Sequence, residues 1–318
     1  MSLRSLNLGV ALVGLACLPA AGTAGGGAVQ RPDAAAPAPD AAVAPRLAVA
    51  TFNVHRLFDM TCDTGACGET DYEAHPTADE FRTRTLAVGA GVQLLGVDVA
   101  VLQEIESQAC MDALQQALTA PFPVAVLGET GGAASLDVAV LARGELVATR
   151  SHAAEVLPRA DGGVTTFARD LLEVHLRVGT AHVVVFAAHF RSKRSDDPDR
   201  RLAEARAARR IIDGVAATYP DAVVVLGGDL NDTPGSAPLH ALETDGGLIR
   251  VAQWLPAAEQ ATYHFNGQGQ ALDHLYVLPA AAPRIILESV RVIHDVPLPT
   301  GGFAGSDHAA LRAEVLLP

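Results

Sequence analysis

The stretch AVVVL (222–226) runs straight into GGDLNDTP (227–234), so an apolar segment ends in two glycines, two aspartates, an asparagine and a proline. A short run of Val and Leu bounded by Gly and Pro predicts a covered strand. Its last residues emerge at the strand's C-terminal edge, where open sheets commonly place their chemistry. Asp229 and Asn231 stand two apart, so in an extended segment they point to the same side. An Asx-rich turn closing the strand would carry the same letters. The rest of the chain decides between the two.

Other apolar runs end in the same way. RLAVATFNV predicts a strand ending at Asn53, VDVAVLQE one ending at Glu104, and HVVVFAAHF one ending at His189, while Asp273 and the pair Asp307–His308 open later strands. Further strands are expected near 122–127, 136–142, 169–178, 284–293 and 309–317. Helices are expected over 77–95, with Thr77 as N-cap and Glu80 three residues on, and over about 107–119. A strong helix follows in DDPDRRLAEARAARRIIDGVAATY, with Leu202, Ala205, Ile212 and Val215 near one face, and a short one near 237–242. Strands interleave with helices at first and then follow one another. That order predicts two packed sheets with helices outside rather than a fully parallel, doubly wound sheet.

The first 45 of the 318 residues have a different composition. MSLR followed by LNLGVALVGLACLPAA reads as a signal peptide over 1–24, too short for an ordinary membrane span. Cleavage before Cys17, with lipidation there, is the other reading of the same segment. Residues 25–45, rich in Ala, Pro, Gly and Asp, form a flexible tether. Residues 46–318 then make one catalytic domain, with no later apolar run long enough to span a bilayer. In an exported chain Cys62 and Cys67 are expected to close a small disulfide loop, because a structural zinc site would need a second ligand pair. Cys110 is expected as a buried free thiol. The net charge is −13 with no broad basic run, which excludes a passive nucleic-acid-coating module. It leaves room for an enzyme that meets phosphate through a metal ion and a few arginines.

TFNV (51–54), LQEIE (102–106), AAHFRSK (187–193), GGDLNDTP (227–234), ALDHLYV (271–277) and GSDHAAL (305–311) occur in this order. Together they resemble the endonuclease/exonuclease/phosphatase superfamily, which includes pancreatic-type deoxyribonucleases, abasic-site endonucleases, sphingomyelinases and inositol-polyphosphate phosphatases. The resemblance implies an α+β fold, a four-layer α/β/β/α sandwich. It implies Glu104 as principal metal ligand, with Asn53 and Asp307 beside it around Mg²⁺, for which Mn²⁺ or Ca²⁺ could substitute or assist. His308 corresponds to the histidine facing the scissile phosphate, with Asp273 as its carboxylate partner, and His189 to the second active-site histidine. Asp229 corresponds to the residue that aligns or deprotonates the attacking water, and Asn231 to a phosphate-oxygen donor.

Around this set the sequence leaves choices. Asp137 is the nearest candidate partner for His189, or else a strand-edge carboxylate. Glu106 either assists the metal or is solvated, and the solvated reading is preferred. Arg169 opens a strand where relatives place an arginine near the phosphate. Arg191, Lys193 and Arg194 form a basic loop beside His189 that meets backbone phosphates, unless they balance Asp196 and Asp197. His55 stands where secreted relatives carry Glu or Asn. His274 should face away from Asp273, into the core. His152, His175, His182, His240 and His294 have no motif around them.

TFNVHRLFD with the Cys-containing loop after it, HFRSK with SDDPD, and YHFNGQGQALDH resemble secreted bacterial nucleases of the superfamily. The expected function is therefore an exported Mg²⁺-dependent phosphodiesterase, an endonuclease cutting DNA in preference to RNA with little sequence preference. The chain is expected to act as a monomer without an obligate protein partner. A sphingomyelinase-like or inositol-polyphosphate phosphoesterase is the alternative. Against the lipid substrate, a single Trp and an aromatic content of 4% offer little for a membrane-inserting hairpin. A third reading, a catalytically inactive surface-binding protein with the same fold, predicts losses among the ligand positions, yet all of them are present.

Overall fold

The structure, a computed structural model, describes residues 45–295 and 302–318. The expected signal sequence, Cys17 and the tether up to residue 44 lie outside the described residues. The chain runs β1 (Arg46–Leu57), α1 (Ala78–Leu95), β2 (Val99–Ile105), α2 (Gln108–Ala117), β3 (Val124–Gly128), β4 (Asp137–Ala142) and β5 (Glu145–Ser151). The small pair β6 (Leu157–Pro158) and β7 (Val164–Thr165) precedes β8 (Leu172–Val178), β9 (Ala181–His189), α3 (Pro198–Thr218), β10 (Val223–Asp229) and α4 (Ala237–Glu243). Then come β11 (Ile249–Arg250), the hairpin β12 (Tyr263–Phe265) and β13 (Gln268–Gln270), β14 (Asp273–Val277), β15 (Ile285–Ile293) and β16 (Ala310–Leu316).

Two six-stranded sheets result, ordered β15-β16-β1-β2-β4-β3 and β11-β14-β10-β9-β8-β5. Strand alternation decides what lies between them. Val49, Val101 and Leu311 of the first sheet join Val185, Val225 and Leu275 of the second in one apolar cluster. The opposite face of the first sheet packs Ala50, Phe52 and Leu102 against Val88 and Val92 of α1 and Met111 and Leu114 of α2. The opposite face of the second packs Phe186, Val224 and Leu226 against Ala205, Ala208 and Ile212 of α3 and Leu239 of α4. This is the α/β/β/α sandwich.

Helix α1 starts where the sequence places it: Thr77 caps it, with Glu80 completing a capping box. Other boundaries shift. β1 does not end at Asn53 but continues to Leu57 through a register shift against β2 between Asn53 and Leu57. Leu202 is only half-buried, while Arg201 and Glu204 lie on the buried face of α3. Cys62 and Cys67 are disulfide-bonded, and Cys110 is a buried free thiol that burial pushes up to about 12.

The two glycines of GGDLNDTP have separate reasons. Gly227 continues the inter-sheet face, where a Cβ would press on Leu275 and Val101 at 3.1 and 3.2 Å. Gly228 faces the helix layer, and a Cβ there would meet the Ala188 carbonyl oxygen at 2.0 Å, which no side chain tolerates. Only glycine lets β9 and β10 run this close just before their last residues.

Candidate active site

The site is the end of the inter-sheet face. Val223, Val225 and Gly227 are followed at the same parity by Asp229, and Val183, Val185 and Ala187 by His189. Leu47 and Val49 likewise lead to Thr51 and Asn53. Register does the rest: Asp229 lies opposite His189 on β9 and opposite Asp273 on β14, so three polar side chains stand in one row across three strands. All three are buried, as is Asn53. Buried polar groups require partners, and here they partner one another across the sheets.

Asn53 spans the gap. Its Nδ2 donates to Asp229 Oδ2 at 3.0 Å and to Glu104 Oε1 at 3.1 Å, and its Oδ1 accepts from the backbone N–H of His55 at 2.9 Å. Glu104 reaches it only through a bulge. At ordinary parity it would follow Leu102 toward the helices, but the pairing of β2 with β4 slips between Gln103 and Ile105, and Glu104 takes φ +68°. Left-handed backbone at a non-glycine residue is uncommon and concentrates at functional sites. The second carboxylate oxygen accepts from the Arg56 backbone at 2.8 Å. Asn231, at φ +52°, is the same kind of residue; its N–H donates to Asp229 Oδ1 at 2.8 Å and its Nδ2 to the Phe190 carbonyl at 3.1 Å.

His308 Nδ1 donates to Asp273 Oδ2 at 2.7 Å, which fixes the tautomer and leaves Nε2 turned toward Asp229 Oδ2, 4.0 Å away. His189 Nε2 approaches the same oxygen at 3.6 Å. Burial works against charge on His308, but the charge and hydrogen bond of Asp273, with Asp229 and Asp307 behind, outweigh it and raise the imidazole above its ordinary range. Burial, then the charges of Arg169 and His308, hold His189 well below that range. Burial and the neighbouring Asp273 raise Asp229. One carboxylate thus lies between a histidine driven toward charge and one driven toward neutrality.

Asp307 lies outside this buried row. Its carboxylate is 46% exposed and sits 3.5 Å from His55 Nδ1. Asn53, Glu104 and Asp307 carry hard oxygen donors of the kind a divalent cation takes, although in this structure Asn53 Oδ1 accepts from His55 N and Asp307 stands beside His55 rather than in the row. Asp229, Asp273 and His308 also hold ligand atoms within 4.8 Å of one another.

Several expectations change. Asp137 is not the partner of His189: its carboxylate is taken by Thr130 N and Oγ1 and by Ser135 Oγ (3.2, 2.8 and 2.7 Å), while His189 Nδ1 has no partner among the described residues. Glu106 is not solvated; it is 4% exposed, accepts from the Asp59 backbone, and burial pushes it up to about 7. The acidic run after the basic loop is balanced from elsewhere, Asp196 by Arg201 and Asp197 by Arg159. Lys193 is paired with Asp232 at 3.1 Å, and the Arg191 side chain has no ion pair among the described residues. Arg169 is half-buried and donates to the Phe190 carbonyl at 3.4 Å. His274 faces away as expected, against the Asp232 carbonyl at 2.9 Å. His152 and His175 are not isolated: both hydrogen-bond the buried Glu173, at 2.8 and 2.6 Å.

The motifs missed four residues. Ser306 Oγ donates to the Asn53 carbonyl (2.8 Å) and accepts from His308 N (3.0 Å), tying the first motif to the last. Tyr263 lays its ring 4.8 Å from that of His308. Thr262 Oγ1 accepts from the backbone N–H of Asp273 at 3.0 Å. Glu204, wholly buried on α3, accepts from the backbones of Ala168 (2.7 Å) and Arg191 (2.8 Å), on either side of His189 in the chain. A carboxylate among the alanines of the buried helical face was the available signal for Glu204.

A family profile described as Endonuclease/Exonuclease/phosphatase family matches residues 50–308. No curated protein matches the sequence. Solved structures share the fold. Truncated TDP2 of Caenorhabditis elegans is 18% identical over 85% of this chain and 97% of its own, with a TM-score of 0.60. TDP2 of D. rerio, complexed with single strand DNA product, is 15% identical over 85% and 98%, at 0.59. An endonuclease/exonuclease/phosphatase from Bacteroides vulgatus is 15% identical over 86% and 100%, at 0.56.

Proposed function

Since the chain belongs to the endonuclease/exonuclease/phosphatase family, whose members are phosphodiesterase and nuclease hydrolases, we propose that it is an exported, Mg²⁺-dependent endonuclease that cuts DNA with little sequence preference. The observation that carries this reading is the buried row His189–Asp229–Asp273, closed by His308 and facing Asn53 and Glu104.

Glu104, Asn53 and Asp307 are the residues that would hold a divalent cation, which when bound would supply Lewis acidity toward a phosphate oxygen. The side chains do the remainder. Asp273 keeps His308 charged, so Nε2–H is a donor for a phosphate or leaving oxygen in the cleft. His189, held neutral, is able to accept a proton, and Asp229, reached by both imidazoles, orients the attacking water. Arg169 and Arg191 neutralise phosphate oxygens and position the strand without reading its sequence. Phe265, 56% exposed at the tip of the β12–β13 hairpin that also carries Tyr263, offers a face on which a base can stack. The Cys62–Cys67 disulfide and the apolar segment after Arg4 support export.

The test is incubation of the purified protein with plasmid DNA, RNA, sphingomyelin vesicles and inositol phosphates, with Mg²⁺ or EDTA. DNA nicking that requires the metal and falls by about 10²–10⁴-fold in His189→Ala is expected. Turnover of lipid or inositol phosphate alone would replace the substrate and keep the chemistry. No turnover of any substrate would overturn the enzymatic reading.

A further inference from the structure

A second group of carboxylates lies beside the first site and is used by none of its chemistry. Asp63, Glu73 and Glu106 each offer a ligand atom within 4.8 Å of the others, and Asp59 approaches the same Glu106. None of the four is paired with a lysine or arginine among the described residues. Glu73 and Glu106 are both buried. Like charges placed together out of water repel strongly unless something neutralises them.

The loop has already oriented these groups. Glu73 Oε1 accepts from the Asp63 backbone at 2.5 Å, and Oε2 accepts from the Thr64 backbone at 2.8 Å and from the Thr64 hydroxyl. Asp59 accepts from Thr61 N and Ser107 Oγ at 2.6 and 2.8 Å. The Cys62–Cys67 disulfide closes the turn that carries Asp63. Glu106 is the exception: Oε2 accepts from Asp59 N at 2.6 Å, but Oε1 is buried with no hydrogen-bond partner. A buried, unpartnered carboxylate oxygen among oriented carboxylates is a place that a cation would satisfy. Nitrogen and sulfur are absent from the donor set, since the Cys110 thiol donates to the Leu57 carbonyl at 3.2 Å.

We propose that the disulfide-closed loop Asp59–Glu73 holds a second hard divalent cation, calcium, on Asp63, Glu73 and the free oxygen of Glu106, separate from the cation of the catalytic row. Oxygen-only donors on an irregular loop suit calcium, which accepts about six to eight such ligands in flexible geometry, better than magnesium, which demands a near-ideal octahedron. The ion has a structural task. Next to Glu73 is Tyr72, whose ring lies 5.2 Å from the Arg56 guanidinium and which senses both Arg169 and Glu104. Holding Glu73 therefore holds the rim of the active site.

The test uses the full protein carrying Glu104→Gln, which weakens the catalytic cation site. Calcium is titrated by calorimetry, and Tb³⁺ by luminescence sensitised through tyrosine. One calcium site is expected to survive Glu104→Gln, to raise Tm, and to weaken at least tenfold on adding Glu106→Gln. Asp63→Asn, at an exposed loop position, provides the same reading should the buried substitution impair folding. Loss of all calcium binding in Glu104→Gln, or unchanged binding in both Glu106→Gln and Asp63→Asn, would overturn the proposal, whatever the substrate proves to be.

Discussion

His189 and His308 approach the same oxygen of Asp229, yet their surroundings drive them to opposite protonation states. Arg169 contributes to that difference by its charge, which suggests a test by pH. A neutral His189 able to accept a proton sets the acid limb of kcat/KM, and burial with Arg169 and His308 moves that limb below the ordinary histidine value of 6.5. Arg169→Gln removes one positive charge, so the His189 pKa rises and activity on the acid side of the profile is lost faster than activity at alkaline pH. A pH–rate profile that keeps its acid limb in the variant would remove His189 from the base role. At this scale the sequence was legible where a residue type advertises chemistry in a recognisable frame, as in LQE or SDH. It was not legible where geometry overrides parity. Nothing in VDVAVLQEIE announces that Glu104 reverses its face through a left-handed residue, or that Asp137 is consumed by Thr130 and Ser135.

Strands and helices were readable in proportion to how much of each is buried. β10 is buried along its whole length and β9 nearly so, and both were evident as Val-rich runs; α1 carries its own start signal in the capping box. β5 was missed because all seven of its residues are exposed: it is an edge strand held to β8 by backbone pairing, with no apolar alternation to betray it. The β12–β13 hairpin was missed for its brevity, although Asn266–Gly267 is a turn pair with positive φ at both positions. The close approach of β9 and β10 at Gly228 gives this scale its prediction. Gly228→Ala places a methyl group 2.0 Å from the Ala188 oxygen, so the strands must part where His189 and Asp229 are delivered. The expected cost is about 1–3 kcal/mol or more in urea unfolding, with activity falling beyond what that loss of stability explains. An unchanged midpoint would mean the pair has slack that the register does not suggest.

For the molecule as a whole, two packed sheets with outer helices followed from the order of strands and helices, and the gathering of polar residues at strand ends was legible in the same runs, while the sheet face they occupy was not. The clamp from the helix layer did not follow, and it makes global stability depend on pH. Burial pushes Glu204 up to about 7, against an ordinary value of 4.5, although two backbone N–H groups hydrogen-bond it. The folded chain therefore binds this proton more tightly than the unfolded chain does. The stabilisation is complete below pH 4.5 and is lost as pH rises through about 7. Glu204→Gln removes this contribution, so the Tm gap between wild type and variant should be wider at pH 4.5 than at pH 7.5; a constant gap would show that the carboxyl does not titrate in this window. The order of the first sheet has a consequence in time. β16, the last strand in the chain, is inserted between β1 and β15, and the loop leading into it supplies Asp307 and His308. Synthesis has to pass residue 308 before the earliest motif, at 51–54, can meet the latest. A chain without the loop before β16 thus lacks the histidine that Asp273 waits to hold.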